Sequence, residues 1–251
     1  VTGAERRAAL DQIASEVSAC TRCRLSETRT RAVPGEGSPD TEVVFVGEGP
    51  GMNEDREGRP FVGRAGGLLV RLLRSVGWER EDVFITNVVK CRPPDNRDPQ
   101  PDEMAACAPY LRRQLEILDP SVVVTLGRYS MGTFMPGARI GQVHGTTTHA
   151  DPETGARDAT VFAMYHPAAA LRSAEVERVS FDDMSRVPAA LLAARARRAG
   201  SSDAIPAVAS APTDGPPSVT MATPLASVAA TDESHPAAAP ASDDAAQLTL
   251  F

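Results

Sequence analysis

The side chains that could do chemistry in this 251-residue chain fall into two groups. The first is a set of four cysteines. Cys20 and Cys23 form a C-x2-C pair, and Cys91 and Cys107 follow with fifteen residues between them. Disulfides belong to oxidising compartments. Val1 to Leu10 has no apolar signal-peptide core, so the expected location is cytoplasmic and the thiols are expected to be reduced. A C-x2-C pair sets two thiolates on one turn, ready for one metal centre. Four thiolates suit either zinc or a [4Fe–4S] cluster. A zinc ribbon usually carries two C-x2-C knuckles, whereas the second pair here is spread; spacing alone leaves both metals open.

The second group is dispersed. Gly47-Glu48-Gly49-Pro50-Gly51 puts a carboxylate among alternating glycines. Met52 breaks the Gly-x-Gly-x-x-Gly dinucleotide fingerprint, and no Gly-Lys-Ser/Thr follows, so neither a dinucleotide site nor a P-loop is present. A polar loop over Asn53–Gly63 carries Phe61, which either plugs a core or offers a flat ring to an unstacked base. Asn87 carries donor and acceptor together, a match for a base edge. His166, before Pro167, is the best donor candidate among four histidines.

These residues need a scaffold to bring them together, and the periodicity supplies one. Helical patterns run over Ala4–Ser18, Gly66–Val76, Pro101–Leu118, and on through Arg198 with a break at Pro188. Short apolar runs at Glu42–Val46, Val83–Val89, Ser121–Leu126 and Thr160–Tyr165 read as strands. Alternation of the two predicts an α/β fold: a three-layer α/β/α sandwich around a mostly parallel four-stranded sheet. Ligands of such sheets bind beyond the carboxyl ends of the strands. Glu48, Asn87 and His166 all follow or end a predicted strand.

Charge sets a second boundary. The net charge is −7, but six acids and no Lys or Arg fall after residue 200, so the first 200 residues carry only −1. Of 26 basic residues all but Lys90 are Arg, the side chain suited to bidentate phosphate contacts. A basic groove is therefore permitted. Residues 201–246, rich in Ala, Pro, Ser and Asp, bury too little apolar surface to order themselves and read as a disordered linker. No apolar run is long enough to span a membrane.

Taken in order, the four-cysteine spacing, the Gly47–Gly51 turn, Glu54-Asp55, Pro60-Phe61-Val62-Gly63, Thr86-Asn87-Val88-Val89-Lys90-Cys91-Arg92-Pro93 and Tyr165-His166-Pro167 resemble the iron–sulfur uracil-DNA glycosylases of family 4, over about residues 5–198. The resemblance implies a glycosylase-like fold over residues 1–200 and a [4Fe–4S] cluster rather than zinc, on Cys20, Cys23, Cys91 and Cys107. It implies an N-glycosyl hydrolase that flips uracil out of DNA and initiates base excision repair. By it, Glu48 matches the acid that positions or activates water and steadies the cationic sugar. Phe61 matches the ring that stacks on the flipped base, Asn87 the amide that reads its edge, and His166 the donor to O2. Gly47, Gly49 and Gly51 would let backbone approach base and phosphate. Leu171 is the expected wedge and Arg172 the expected phosphate contact. Two departures stand out. Gly49 occupies a place where the family often has Ala, and Asp95-Asn96-Arg97-Asp98 lacks the histidine of a branch that bonds covalently to DNA, so ordinary turnover is expected.

Gln247-Leu248-Thr249-Leu250-Phe251 resembles the peptide by which bacterial repair and replication proteins hold the sliding clamp; Gln247, Leu248, Leu250 and Phe251 would fill its groove. A monomer is expected, with no heptad or exposed apolar stripe evident. The rival readings are a glycosylase for another deaminated or damaged base, and a non-catalytic iron–sulfur or zinc DNA-binding module.

Overall fold

The computed structural model describes residues 1–202. Its helices are α1 (Gly3–Ala19), α2 (Met52–Glu57), α3 (Arg64–Ser75), α4 (Pro101–Leu118), α5 (Arg128–Phe134), α6 (Ile140–Val143), α7 (Pro167–Ala170), α8 (Ala174–Met184) and α9 (Val187–Ser202). Its strands are β1 (Glu36–Gly37), β2 (Val43–Gly47), β3 (Phe84–Asn87), β4 (Val122–Leu126), β5 (Thr147–His149) and β6 (Thr160–Met164). Local chemistry sets several ends. Thr2 and Glu5 close a capping box on α1, and Pro101 opens α4 behind Gln100 and Glu103.

The strand order is β1-β3-β2-β4-β6-β5. The four central strands are parallel, as expected. The sheet nonetheless has six strands, not four. β1 and β5 add antiparallel edges. β1 is two residues long and half glycine, and β5 is three exposed polar residues, so neither carries an apolar signal. A second difference is α2, a short helix inside the stretch that reads as polar loop. The break expected at Pro188 falls instead at Ser185–Arg186, because proline is tolerated in the first turn of a helix.

Side chains alternate across the pleat and define two cores. Val44, Val46, Phe84, Val123 and Val161 pack with Leu10, Ile13 and Val17 of α1 and Tyr110, Leu111, Leu115 and Leu118 of α4. Val43, Phe45, Ile85, Val124 and Phe162 pack with Leu68, Leu69, Leu72 and Leu73 of α3, Met184 of α8, and Val187 and Leu191 of α9. This is the expected three-layer sandwich. No described helix is long and apolar enough to cross a membrane. Apart from Ser201 and Ser202, which end α9, the expected linker and the peptide 247–251 lie outside the described residues.

Candidate active site

The carboxyl ends of the parallel strands deliver the predicted residues to one edge of the sheet. β2 ends at Gly47, β3 at Asn87, and His166 follows β6. An added Cβ at Gly47 would lie 2.4 Å from Asn87 Oδ1 and 2.5 Å from Phe61 Cζ, so these three residues meet at a slot too narrow for any Cβ there. The Phe61 and His166 rings stand 5.7 Å apart, tilted by 32°. Asn87 is 1% exposed, and its Oδ1 is buried without a hydrogen-bond partner. An orphaned acceptor of this kind costs about 1–3 kcal/mol and marks a place where a ligand group would be welcome.

Phe61 is also strained: its φ is +51°, in the left-handed region that a bulky residue rarely enters. Strain of that kind costs about 1–3 kcal/mol and persists only where the surroundings over-determine it. They do so here. The Glu54 carboxylate accepts from the amides of Val62 (3.0 Å) and Gly63 (2.8 Å). A side chain at Gly66 would sit 1.8 Å from the Phe61 carbonyl oxygen, so α3 presses directly on this turn. Glu54 enters the sequence reading only as part of a matching motif, one of three acids in a polar stretch, with nothing to mark which of them serves the turn.

The His166 geometry fixes its tautomer. Nδ1 accepts from the Ala168 amide at 3.1 Å, so the proton sits on Nε2. Burial pushes the imidazole pKa down to about 4; Glu54 opposes this shift and Arg172 reinforces it. Near neutrality the ring is an uncharged Nε2–H donor. Glu48, one residue beyond Gly47, behaves in the opposite sense. Burial, with Asp98 adding to it and Arg128 opposing, raises its carboxyl to about 7. Arg128 and Asp98 are themselves ion-paired. A carboxyl poised near neutrality suits proton transfer or water activation.

The remaining predicted residues are more peripheral. Gly49 lies against Val89 and Gly51 caps α2 against Glu54, so of the three glycines only Gly47 borders the slot. Leu171 ends α7 with 36% of its surface exposed, and Arg172 follows it.

The four cysteines, all free, line a single pocket with Val17, Arg22, Arg29, Lys90 and Tyr110. α1 ends into Cys20, Cys91 follows β3, and Cys107 lies on α4. Three sulfurs receive donors: Arg22 N reaches Cys20 (3.5 Å), Arg29 Nη1 reaches Cys91 (3.1 Å) and Lys90 N reaches Cys107 (3.3 Å). The Arg29 and Lys90 donors favour thiolate over thiol at Cys91 and Cys107. Burial pushes the Cys107 thiol up to about 11 against the pull of Lys90, so a thiolate persists there only with a bound cation. Among the described residues no three His, Cys, Asp or Glu side chains are disposed to hold a single metal ion.

Residues 34–185 match the family model described as the Uracil DNA glycosylase superfamily. The chain is similar to a type-4 uracil-DNA glycosylase of Saccharolobus solfataricus, 48% identical over 72% of this chain and 86% of that protein. It is similar to the enzyme of the same description from Sulfurisphaera tokodaii (46%, over 71% and 83%) and from Thermotoga maritima (45%, over 72% and 94%).

Proposed function

The chain belongs to the uracil-DNA glycosylase superfamily, on its type-4 side, and from that premise we propose how its residues act. It is a uracil-DNA glycosylase: it takes uracil from DNA by hydrolysing the N-glycosidic bond, the first step of base excision repair. The observation that carries the reading of its site is the buried, unpartnered Asn87 Oδ1 facing the slot between Gly47 and Phe61.

The base must first leave the stack, at a cost of a few kcal/mol. In the slot, the Phe61 ring stacks on it and the Asn87 amide reads its edge, Oδ1 accepting from N3–H. As the glycosidic bond lengthens, negative charge gathers on the base and positive charge on the sugar. His166 donates from Nε2 to O2. Its depressed pKa makes it a neutral donor that stabilises the anion rather than an acid that protonates it. Glu48, ionised, steadies the cationic sugar and orients or activates the water that attacks the anomeric carbon. Leu171 serves as wedge and Arg172 as phosphate contact, while Gly49 and Gly51 would let backbone approach the base and the phosphate.

Cys20, Cys23, Cys91 and Cys107 would hold a [4Fe–4S] cluster. Four free thiols around one pocket suit such a group, and the likeness to the type-4 enzymes favours the cluster over zinc. The group would supply structure: it ties the end of α1 to the Cys91 loop and α4, and no redox change enters the reaction. The enzyme is read as a monomer acting in the cytoplasm, with residues 201–246 as a tether and Gln247, Leu248, Leu250 and Phe251 as a sliding-clamp peptide.

Uracil release from a short oligonucleotide, scored by alkaline strand cleavage, tests the reading. Asn87→Ala and Glu48→Ala should each lower the rate about 100-fold or more, the size of removing one preorganised group. Full activity in both variants would refute the assignment.

A further inference from the structure

Phe61 is held from its amide side by Glu54; its carbonyl side is held by a residue far along the chain. Arg80 opens the single turn Arg80–Asp82 ahead of β3. Its Nη1 donates to the Phe61 carbonyl at 2.8 Å and its Nη2 to the Pro60 carbonyl at 2.7 Å. The same guanidinium is gripped by Glu36, Nη2 to Oε1 at 2.5 Å and Nε to Oε1 at 3.2 Å. Glu36 in turn takes two bonds from Arg59, at 2.7 and 3.1 Å, one residue before Pro60. The Arg80 side chain is only 16% exposed. Burial works against the charge on Glu36, but the bonds from Arg59 and Arg80 hold its carboxyl below the ordinary range, so the acid is ionised and the pair complete.

The location gives the cluster its meaning. Glu36 lies in β1 and pairs with Ile85 of β3, two residues before Asn87. The fork on the 60–61 carbonyls is therefore anchored on the ladder that carries the amide.

We infer that Arg80, fixed by Glu36, is a positioning residue that locks the strained Phe61 turn so that the ring stands at a set height opposite the Asn87 edge. This rests on Phe61 being the ring that stacks on uracil. A planar fork of donors satisfies two carbonyls and one carboxylate at once, which an ammonium on a flexible stem does not do in the same geometry. Without the fork the turn relaxes from φ +51° and the stack is lost in a fraction of encounters.

The experiment is a double-mutant cycle on the full chain, reading kcat/KM for uracil release from single-stranded DNA. Phe61→Ala alone tests the underlying reading; if it has no effect, the stacking assignment fails and this inference with it. If Phe61→Ala lowers the rate, Arg80→Met should lower it about tenfold, within the range of one lost base stack, and should cost nothing further in the Phe61→Ala background. Glu36→Gln, a milder change that keeps Arg80, should give about a threefold loss, again absorbed by Phe61→Ala, and decides the matter if Arg80→Met does not fold. Affinity for DNA carrying a stable abasic analogue, which offers no base to stack, should be unchanged in both. Losses that multiply with that of Phe61→Ala, an equal fall in abasic-site binding, or no loss in either variant would overturn it.

Discussion

Glu48 gives the sharpest test of the chemistry, because its environment sets a pH at which the enzyme should switch on. Burial lifts the carboxyl to about 7. In the role proposed for it the ionised form steadies the sugar and directs water, so activity should be lost as pH falls through that value. At pH 6 about one carboxyl in ten is ionised, and kcat/KM should be about tenfold below its plateau; at pH 8 it should be within about 10% of it. The His166 imidazole, with its pKa near 4, adds nothing to this limb. The two neighbouring charges then predict opposite displacements. Asp98→Asn removes a repelling carboxylate and frees Arg128, so the limb should move to lower pH. Arg128→Gln removes the attracting charge and leaves Asp98 unopposed, so it should move to higher pH. Both groups are more than half exposed, and screening limits each shift to about half a unit. The assay is uracil release from a single-stranded oligonucleotide at low substrate, from pH 5 to 9, at constant ionic strength. A rate flat across this range, displacements of the same sign, or a limb that survives in Glu48→Gln would refute the assignment of Glu48.

Gly47→Ala should abolish uracil release, by at least about 100-fold, while thermal unfolding reports a cost of about 1–3 kcal/mol, because the new methyl enters the slot 2.4 Å from Asn87 Oδ1. Asn87→Ala should separate function from stability. The loss of activity should come with a change in unfolding free energy within about 1 kcal/mol, since the lost packing is offset by removal of an orphaned acceptor; denaturant melts decide it. Cys107→Ser should remove the broad visible absorbance and most of the bound iron and lower the melting temperature, whereas a colourless wild-type protein with one zinc would refute the cluster. Deleting residues 247–251 should abolish clamp pull-down and leave uracil release on a short oligonucleotide intact.

The fold was legible where burial writes a periodic signal. Leu68, Leu69, Leu72 and Leu73 announce α3, and the four apolar runs announce the four parallel strands that carry Gly47 and Asn87. What stayed hidden bears no such mark. β1 exists because Glu36 and Gly37 meet β3, a long-range pairing that two residues cannot advertise. α2 is polar except for Met52, and its buried member is Asp55, which accepts from the Thr30 amide at 2.9 Å. At the site, the strand-end rule singled out Glu48, Asn87 and His166 as candidates, and the C-x2-C spacing singled out the cysteines. Glu54 and Arg80 were not legible. They act on backbone atoms of the Phe61 turn, and one arginine among many does not reveal which carbonyl it serves.

Three departures from ordinary folding economy fall at the carboxyl end of the sheet, though others occur elsewhere, such as Arg157 at φ +36° and the unpartnered Nε of Arg198. Phe61 holds a backbone angle it would not choose, Asn87 buries an oxygen with nothing to accept from, and Glu48 keeps a carboxyl where charge is disfavoured. Departures from local rules are expected where a protein does its work, and on the proposed reading a bound base would answer the unpartnered Asn87 oxygen and use the Phe61 ring. The ligand's properties follow. It must be flat, to meet the ring, and must bring a donor to Asn87 Oδ1. It must also carry an oxygen toward His166 Nε2 that grows negative as the bond breaks. Uracil has N3–H for the amide and O2 for the imidazole. Cytosine presents a lone pair at N3, so its entry would leave the buried acceptor facing another acceptor. Sites that discriminate by leaving their own polar groups unpaired reach factors of about 10⁴–10⁵. On this reading the orphaned oxygen is the means by which cytosine is refused: it is paired by uracil and left unpaired by cytosine, and that difference is the origin of the selectivity between them.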